Sequence, residues 1–129
     1  MPGNEIFLIT DRPEEHSLIS GILGEMNITL HGADSIAALA AAGRERLPAA
    51  LILDIDDLAV TNRVLREIAA AFPGLPVLGL SSRRFHPDLA ESIRDCIYAC
   101  LHRPLDPDEV RYWLKSILRD GPLTEEAPP

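Results

Sequence analysis

Four largely apolar segments of this chain are each followed by a polar side chain that could do chemistry. The segments are residues 49–53, 6–10, 77–80 and 97–101, and the side chains are Asp54, Asp11, Ser81 and, two residues beyond the last segment, Arg103. An unbroken apolar run is typical of a strand buried on both faces of a parallel sheet. The carboxyl ends of parallel strands meet at one edge of the sheet, where ligands bind. The sequence therefore predicts a cluster of carboxylates, a hydroxyl group and a cation that suits a metal ion, a phosphate group or both.

Strand and helix patterns alternate five times along the sequence, and these elements must hold the cluster. We predict strands at residues 6–10, 28–32, 50–55, 76–80 and 97–101. The predicted helices span residues 13–25, 35–46 and 61–72, begin again at residue 87, and run from the N-cap Asp106 to residue 119. Repeated strand–helix units with short connections form a parallel sheet covered on both faces. Five units predict an α/β, flavodoxin-like three-layer sandwich with strand order 2-1-3-4-5 and five helices.

The length and charge of the chain limit its domain count and its partners. Its 129 residues suit one domain, which we assign to residues 1–120, with residues 121–129 as a disordered tail or the start of a linker. The net charge of −8 argues against direct nucleic-acid or membrane binding. No signal peptide or membrane span is expected, which favours the cytoplasm. Cys96 and Cys100 are expected to be reduced core residues on one strand, too far apart for a disulfide.

Two strand segments resemble the receiver domain of two-component response regulators. Residues 51–55, Leu-Ile-Leu-Asp-Ile, look like the phosphoacceptor strand of that family, which makes Asp54 the implied phosphoacceptor. Residues 76–82, Pro-Val-Leu-Gly-Leu-Ser-Ser, look like the fourth strand of the family. The resemblance implies that Ser81 stands at the switch position, where a Ser or Thr contacts the phosphate.

A third segment extends the resemblance toward the end of the chain. Residues 101–106, Leu-His-Arg-Pro-Leu-Asp, are similar to the Lys-Pro-aromatic segment of receiver domains, with Arg103 where Lys is usual. The spacing of all three segments agrees, and the resemblance covers residues 5–118. It also implies that the Arg103–Pro104 peptide bond is cis, which is uncommon for an X–Pro bond.

Three of the departures from the pattern of the family concern the metal, the conserved cation and the aromatic switch. Receiver domains usually end their first strand in two adjacent acidic residues that hold Mg²⁺, whereas here Asp11 is followed by Arg12. Arg103 replaces the Lys as a planar fork rather than a point charge. The aromatic switch position on the fifth strand falls on Cys100. We therefore expect an atypical acceptor site without the usual coupled Ser–aromatic rearrangement.

The missing acidic residue should weaken metal binding. By resemblance, the Mg²⁺ ligands would be Asp11, Asp54 and the backbone carbonyl of Asp56, together with water and phosphate oxygens. Arg12 places a cation in or beside the metal position, so Mg²⁺ binding is possible but weakened. The guanidinium of Arg12 could partly replace the metal ion by pairing with Asp54 or with an acyl phosphate.

The resemblance implies a regulatory domain of a phosphorelay rather than an enzyme. Asp54 would accept a phosphoryl group from a histidine kinase or a phosphotransfer protein. A homodimer could form through the face built from the fourth predicted helix, the fifth strand and the fifth helix, that is, the last strand and the helices that flank it. The alternative is a pseudo-receiver that acts only as an interaction or dimerisation module, independently of phosphorylation.

Two further interpretations of Asp54 remain open from the sequence. It could be a structural residue that caps a loop and pairs with Arg12 or Arg103. The segment 51–58 also resembles the first motif of haloacid-dehalogenase-type phosphatases, with Asp54 as nucleophile and Asp56 as acid/base. Against the phosphatase, the motif lies on the third strand, and the chain lacks a later acidic pair at a strand end.

Overall fold

The computed structural model describes residues 5–32, 38, 48–56, 60–83 and 89–120. Five strands lie within these residues: β1 (Glu5–Ile9), β2 (Thr29–Gly32), β3 (Ala50–Asp54), β4 (Val77–Ser81) and β5 (Ala99–His102). The described helices are α1 (Pro13–Glu25), α2 (Asn62–Ala71), α3 (Ala90–Cys96) and α4 (Pro107–Asp120). The helix predicted at residues 35–46 falls outside the described residues, apart from Ala38, which is helical. The start predicted at residue 87 also falls outside them.

All five strands pair in parallel in the order β2-β1-β3-β4-β5, which confirms the predicted fold class. β3 and β4, at the centre, are buried along their whole length, as the unbroken apolar runs predict. The register pairs Asp54 with Leu80 and Ser81 with His102. The carboxyl ends of β3, β4 and β5 therefore lie side by side at one edge of the sheet.

The core has two halves, one on each face of the sheet, because neighbouring residues of a strand point to opposite faces. On one face, Ile52 packs with α1 and α4. On the other face, Leu51 and Leu53 pack with α2. Strands and helices that bury side chains on both sides hold the ends of β3 and β4 in fixed positions, and these ends carry the polar cluster.

A glycine in the middle of β4 lets the segment after Asp54 pack closely on the sheet. A Cβ atom at Gly79 would lie 3.2 Å from Cδ1 of Ile55 and 3.5 Å from Sγ of Cys100. Ile55 is itself buried and follows β3 directly. Gly79 therefore provides the space in which the chain turns from β3 toward Asp56.

The structure corrects the prediction for the two cysteines. Cys96 is the last residue of α3 rather than part of a strand, and it is only partly buried. Cys100 lies on β5 but is exposed, because β5 is the edge strand of the sheet. Both thiols are free, but neither is a fully buried core residue. No described helix is long and apolar enough to cross a membrane.

Candidate functional site

Asp54 is the last residue of β3 and is buried, with 7% of its surface exposed. Its carboxylate accepts a hydrogen bond from the backbone N–H of Asp56 at 2.9 Å, which fixes the turn that follows the strand. Both of its oxygens contact Arg103, at 3.2 Å from Nη1 to Oδ1 and 3.2 Å from Nη2 to Oδ2. A buried carboxylate needs such partners, because an unpaired buried charge is costly.

Arg103, directly after β5, is the centre of the site. Its side chain is buried and contacts three carboxylates, those of Glu15, Asp54 and Asp56; these four residues are called the Arg103 cluster below. The contact to Asp56 joins Nη1 and Oδ2 at 3.1 Å. A guanidinium group suits this arrangement because it is planar, offers five N–H donors and is more weakly hydrated than an ammonium group.

Glu15 is the member of the cluster that sequence reasoning missed. It lies in the first turn of α1, where Pro13 occupies the start of the helix, and it is 5% exposed. Arg103 donates to it through Nε and through Nη2, the latter at 2.8 Å from Oε1, so the pair is a two-bond fork. The hydroxyl group of Thr10 donates to the same oxygen at 2.9 Å. The sequence could have indicated Glu15 through its position, because the first turn of α1 begins at the same sheet edge as Asp54.

The loop after β4 is joined to the cluster by Asp56. The Oγ of Ser81 lies 2.7 Å from Oδ1 of Asp56, and the backbone N–H of Ser82 donates to Oδ2 at 2.7 Å. The Oγ of Ser81 also accepts a hydrogen bond from the backbone N–H of Arg83 at 2.9 Å. The predicted switch hydroxyl is therefore bound within the protein, on the side of Asp56 rather than Asp54.

Asp11 and Arg12 lie at the same sheet edge but outside the cluster. Both side chains are exposed, and among the described contacts the guanidinium that pairs with Asp54 is that of Arg103, not that of Arg12. Of the two partners that the sequence left open for Asp54, the described residues show Arg103 and not Arg12. The physical reason is burial, because Arg103 approaches Asp54 from within the fold while Arg12 stays in solvent.

The residues present do not fit Mg²⁺ in the arrangement that the resemblance implies. A magnesium ion needs oxygen ligands free to fill an octahedron. Here the carboxylates of Asp54 and Asp56 are hydrogen-bonded to a cation, and Asp11 is exposed. Within the described part of the chain, and with Arg103 in place among the carboxylates, no group of three or more acidic, His or Cys side chains is arranged to hold a metal ion.

Glu15 and Arg103 stabilise each other's ionised forms. Burial by itself would raise the pKa of Glu15, but the hydrogen bonds from Arg103 and Thr10 and the charges of Arg103 and Arg12 lower the pKa below its ordinary value. The pKa of Arg103 is raised, chiefly by its hydrogen bond to Glu15 and further by Asp54. Glu15 and Arg103 are therefore both charged at neutral pH.

Two further predicted features lie at the end of β5, the switch-aromatic position and the Arg–Pro bond. Cys100 lines an open cavity of about 460 Å³ together with Ser81, Arg83, Leu101 and His102. The peptide bond between Arg103 and Pro104 is cis, which confirms the prediction from the resemblance.

This arrangement defines a class of protein: the chain has the fold of response regulator receiver domains. Asp54, Ser81 and Arg103 lie at the carboxyl ends of its strands β3, β4 and β5. No protein-family model matches the chain, and no curated protein matches it either. Its similarity is to solved structures.

The structures similar to this chain are receiver domains and proteins that contain them. NtrX from Brucella abortus in complex with ADP matches with 25% identity and a TM-score of 0.76 over 92% of this chain and 26% of that one. The chain thus spans about a quarter of NtrX, and the receiver domain of NtrX alone is covered to 98%, with 23% identity and a TM-score of 0.74. A two-component response regulator from Clostridium difficile matches with 16% identity and a TM-score of 0.77, over 89% of this chain and 95% of that one.

Proposed function

We propose that this chain is a receiver-like regulatory domain of two-component signalling that acts through protein contacts without phosphoryl transfer to Asp54. The observation that carries this proposal is the Arg103 cluster, in which both oxygens of Asp54 contact one buried guanidinium. The pseudo-receiver alternative from the sequence is thereby favoured over the phosphoacceptor. Its role is regulatory rather than enzymatic.

Charge is the physical reason for the proposal. Phosphoryl transfer to a carboxylate brings two negative groups together, and the negative charge on donor and acceptor must be offset. In this site, the single positive charge of Arg103 is already paired with three carboxylates, those of Glu15, Asp54 and Asp56. It therefore cannot also offset the charge of a phosphoryl group. An incoming phosphoryl group would meet a net negative cluster in which the nucleophile is hydrogen-bonded.

Phosphorylation of Asp54 by a histidine kinase or a phosphotransfer protein is the second candidate. It is favoured by the position of Asp54 at the end of β3, beside Ser81 and Arg103, in a fold shared with response regulators. For this function, Arg103 would have to release Asp54 and turn toward the phosphate, and Mg²⁺ would have to bind in spite of Arg12.

Labelling with acetyl phosphate separates the two functions. We expect that the wild-type chain, incubated with acetyl phosphate and Mg²⁺, gains no phosphoryl group by intact-mass spectrometry, and that Asp54→Asn gains none either. A receiver domain with an ordinary acceptor site serves as the positive control for the reagent. Labelling of the wild-type chain that is lost in Asp54→Asn would overturn the proposal and establish the phosphoacceptor.

A partner would bind where aromatic side chains are exposed. Tyr98, just before β5, and Tyr112, on α4, are exposed large side chains, and both pack edge-on against Trp113 with ring centroids 5.8 Å and 5.1 Å apart. Exposed aromatic residues are enriched at protein interfaces. This aromatic surface belongs to the face of α3, β5 and α4, through which we propose that the chain forms a homodimer or docks on a kinase.

A further inference from the structure

Three carboxylates from three parts of the fold converge on one guanidinium group. Glu15 comes from α1, Asp54 ends β3, and Asp56 lies in the loop after β3. Each nitrogen of the guanidinium has a partner: Nε binds Glu15, Nη1 binds Asp54 and Asp56, and Nη2 binds Glu15 and Asp54. The oxygens therefore surround a buried cation, with Asp56, whose side chain is 19% exposed, on the solvent side.

Glu15 fixes the position of this cation. It provides two of the hydrogen bonds to Arg103, and it is itself oriented by the hydroxyl group of Thr10 at 2.9 Å. A two-bond fork between Arg and a carboxylate is stronger and more directional than a single hydrogen bond. Arg103 is thus held from the side of α1 while its Nη atoms reach Asp54 and Asp56.

We propose that Arg103 is the built-in cation of the acceptor site, positioned by Glu15, and that it occupies the place between the carboxylates that a divalent cation would otherwise take. Carboxylate oxygens are the ligands that Mg²⁺ and Ca²⁺ prefer, so the same oxygens would bind such an ion if the guanidinium were absent. The inference deepens the proposed function, on which it rests, because it identifies what keeps the acceptor site inactive.

Replacing the cation tests this inference directly. In Arg103→Gln the positive charge is removed and three carboxylates remain, so calorimetric titration with Mg²⁺ or Ca²⁺ should give saturable binding at least about tenfold tighter than in the wild-type chain, which corresponds to about 1.4 kcal/mol. The second variant, Arg103→Gln with Glu15→Gln, should lose about tenfold of that affinity, because one charged ligand is gone.

A matched control separates the site from the net charge of the chain. Arg63→Gln removes one positive charge at a side chain that is 86% exposed in an ion pair with Glu67, and it should bind Mg²⁺ no better than the wild type. If Arg103→Gln is unfolded in the presence of a chelator, the titration is read as recovery of far-UV circular dichroism on adding Mg²⁺ or Ca²⁺. Recovery supports the inference, and no recovery at saturating ion overturns it.

Three further results would count against the inference. Equal divalent-ion affinity in the wild-type chain and in Arg103→Gln would show that Arg103 excludes no ion. If adding Glu15→Gln to Arg103→Gln left the divalent-ion affinity unchanged, Glu15 would not be a ligand in this site. Equal gains in Arg63→Gln would reduce the effect to net charge. The acetyl phosphate experiment tests the proposed function separately. An unlabelled wild-type chain together with an Arg103→Gln variant that does not bind Mg²⁺ would leave the proposed function standing and overturn this inference.

Discussion

Burial acts on Glu15 in opposition to its hydrogen bonds. Removal from water favours the neutral acid, whereas the two donors of Arg103 and the hydroxyl group of Thr10 favour the carboxylate. The donors prevail, so that the pKa of Glu15 in the folded chain lies below its ordinary value of 4.5. Glu15 is therefore a source of folding stability as well as a support for Arg103.

This shift predicts how stability responds to pH. Because the folded-state pKa of Glu15 is lowered, its contribution is present above pH 4.5 and is lost as the pH falls from 4.5 through the lower folded value. Glu15→Gln should therefore reduce the free energy of unfolding at neutral pH, by about 1–3 kcal/mol for a lost hydrogen-bonded charge. Urea unfolding of both chains over a series of pH values measures the difference, which should shrink below pH 4.5.

The matched control is the same substitution in an exposed ion pair. Glu67 accepts from Nε of Arg63 at 3.1 Å, but the two side chains are 57% and 86% exposed. Glu67→Gln should change the free energy of unfolding by less than about 0.5 kcal/mol. If Glu15→Gln were as mild as Glu67→Gln, or if its effect persisted unchanged at low pH, the account of the Arg103 cluster would be wrong.

Single residues of the site differ in how far the sequence predicts them. Asp54, Ser81 and Arg103 follow buried strands, and the geometry of a parallel sheet then determines that their backbones lie at one edge. The partners of Arg103 depend on side-chain directions, which strand order leaves open. Glu15 was missed for this reason, because only the packing of α1 on the sheet turns it toward Arg103. The sequence left the pairing of Asp54 open between Arg12 and Arg103, and the structure shows the pairing with buried Arg103.

At the scale of elements, the close packing of β4 against the segment after β3 depends on Gly79. Glycine weakens a strand because it has no side chain to pack, so its presence in a central strand needs a reason. Here the reason is the 3.2 Å distance that would separate a new Cβ atom from Cδ1 of Ile55. The close contact involves the tip of one side chain rather than backbone.

The contact predicts a coupling between the two positions. Gly79→Ala should be more favourable by about 0.5–1.5 kcal/mol in the Ile55→Val background than in the wild-type chain, because Val lacks Cδ1. The nearest remaining atoms, at 3.4 Å and 3.5 Å, are in ordinary contact. Unfolding of the wild type, both single variants and the double variant gives the coupling energy. Strict additivity would show that the limiting contact lies elsewhere.

Elements were predicted best where the apolar pattern and the punctuating residues agree. α1 spans Pro13–Glu25 as predicted, because Pro marks its start and an apolar stripe runs along it. The region around α3 was predicted less well. Apolar residues 97–101 indicated a strand beginning at residue 97, but β5 starts at Ala99, and Cys96 ends a helix. A short, partly exposed edge strand buries too few side chains to produce a clear pattern.

At the scale of the whole molecule, the Arg103 cluster and the aromatic surface proposed for docking lie at different places on the sheet. The Arg103 cluster collects side chains from α1, β3 and the segment after β5 at the carboxyl edge of the strands. The aromatic surface of Tyr98, Tyr112 and Trp113 lies along the side of the sheet that β5 closes. β5 joins the two, since Tyr98 precedes it and Arg103 follows it.

The aromatic surface predicts concentration-dependent self-association. Tyr112 is 63% exposed although it packs against Trp113, so a second copy of the chain could bury it without disturbing the core. Tyr112→Ser should weaken a dimer by about 1–3 kcal/mol, the range for loss of one interface aromatic residue, and leave the monomer folded. Sedimentation equilibrium over a range of concentrations measures the association constant.

Ser17→Ala, an exposed change on α1, is the control and should leave this constant unchanged. If the wild-type chain stays monomeric at the highest concentration, the homodimer is excluded, and docking on another protein is the remaining function of this face.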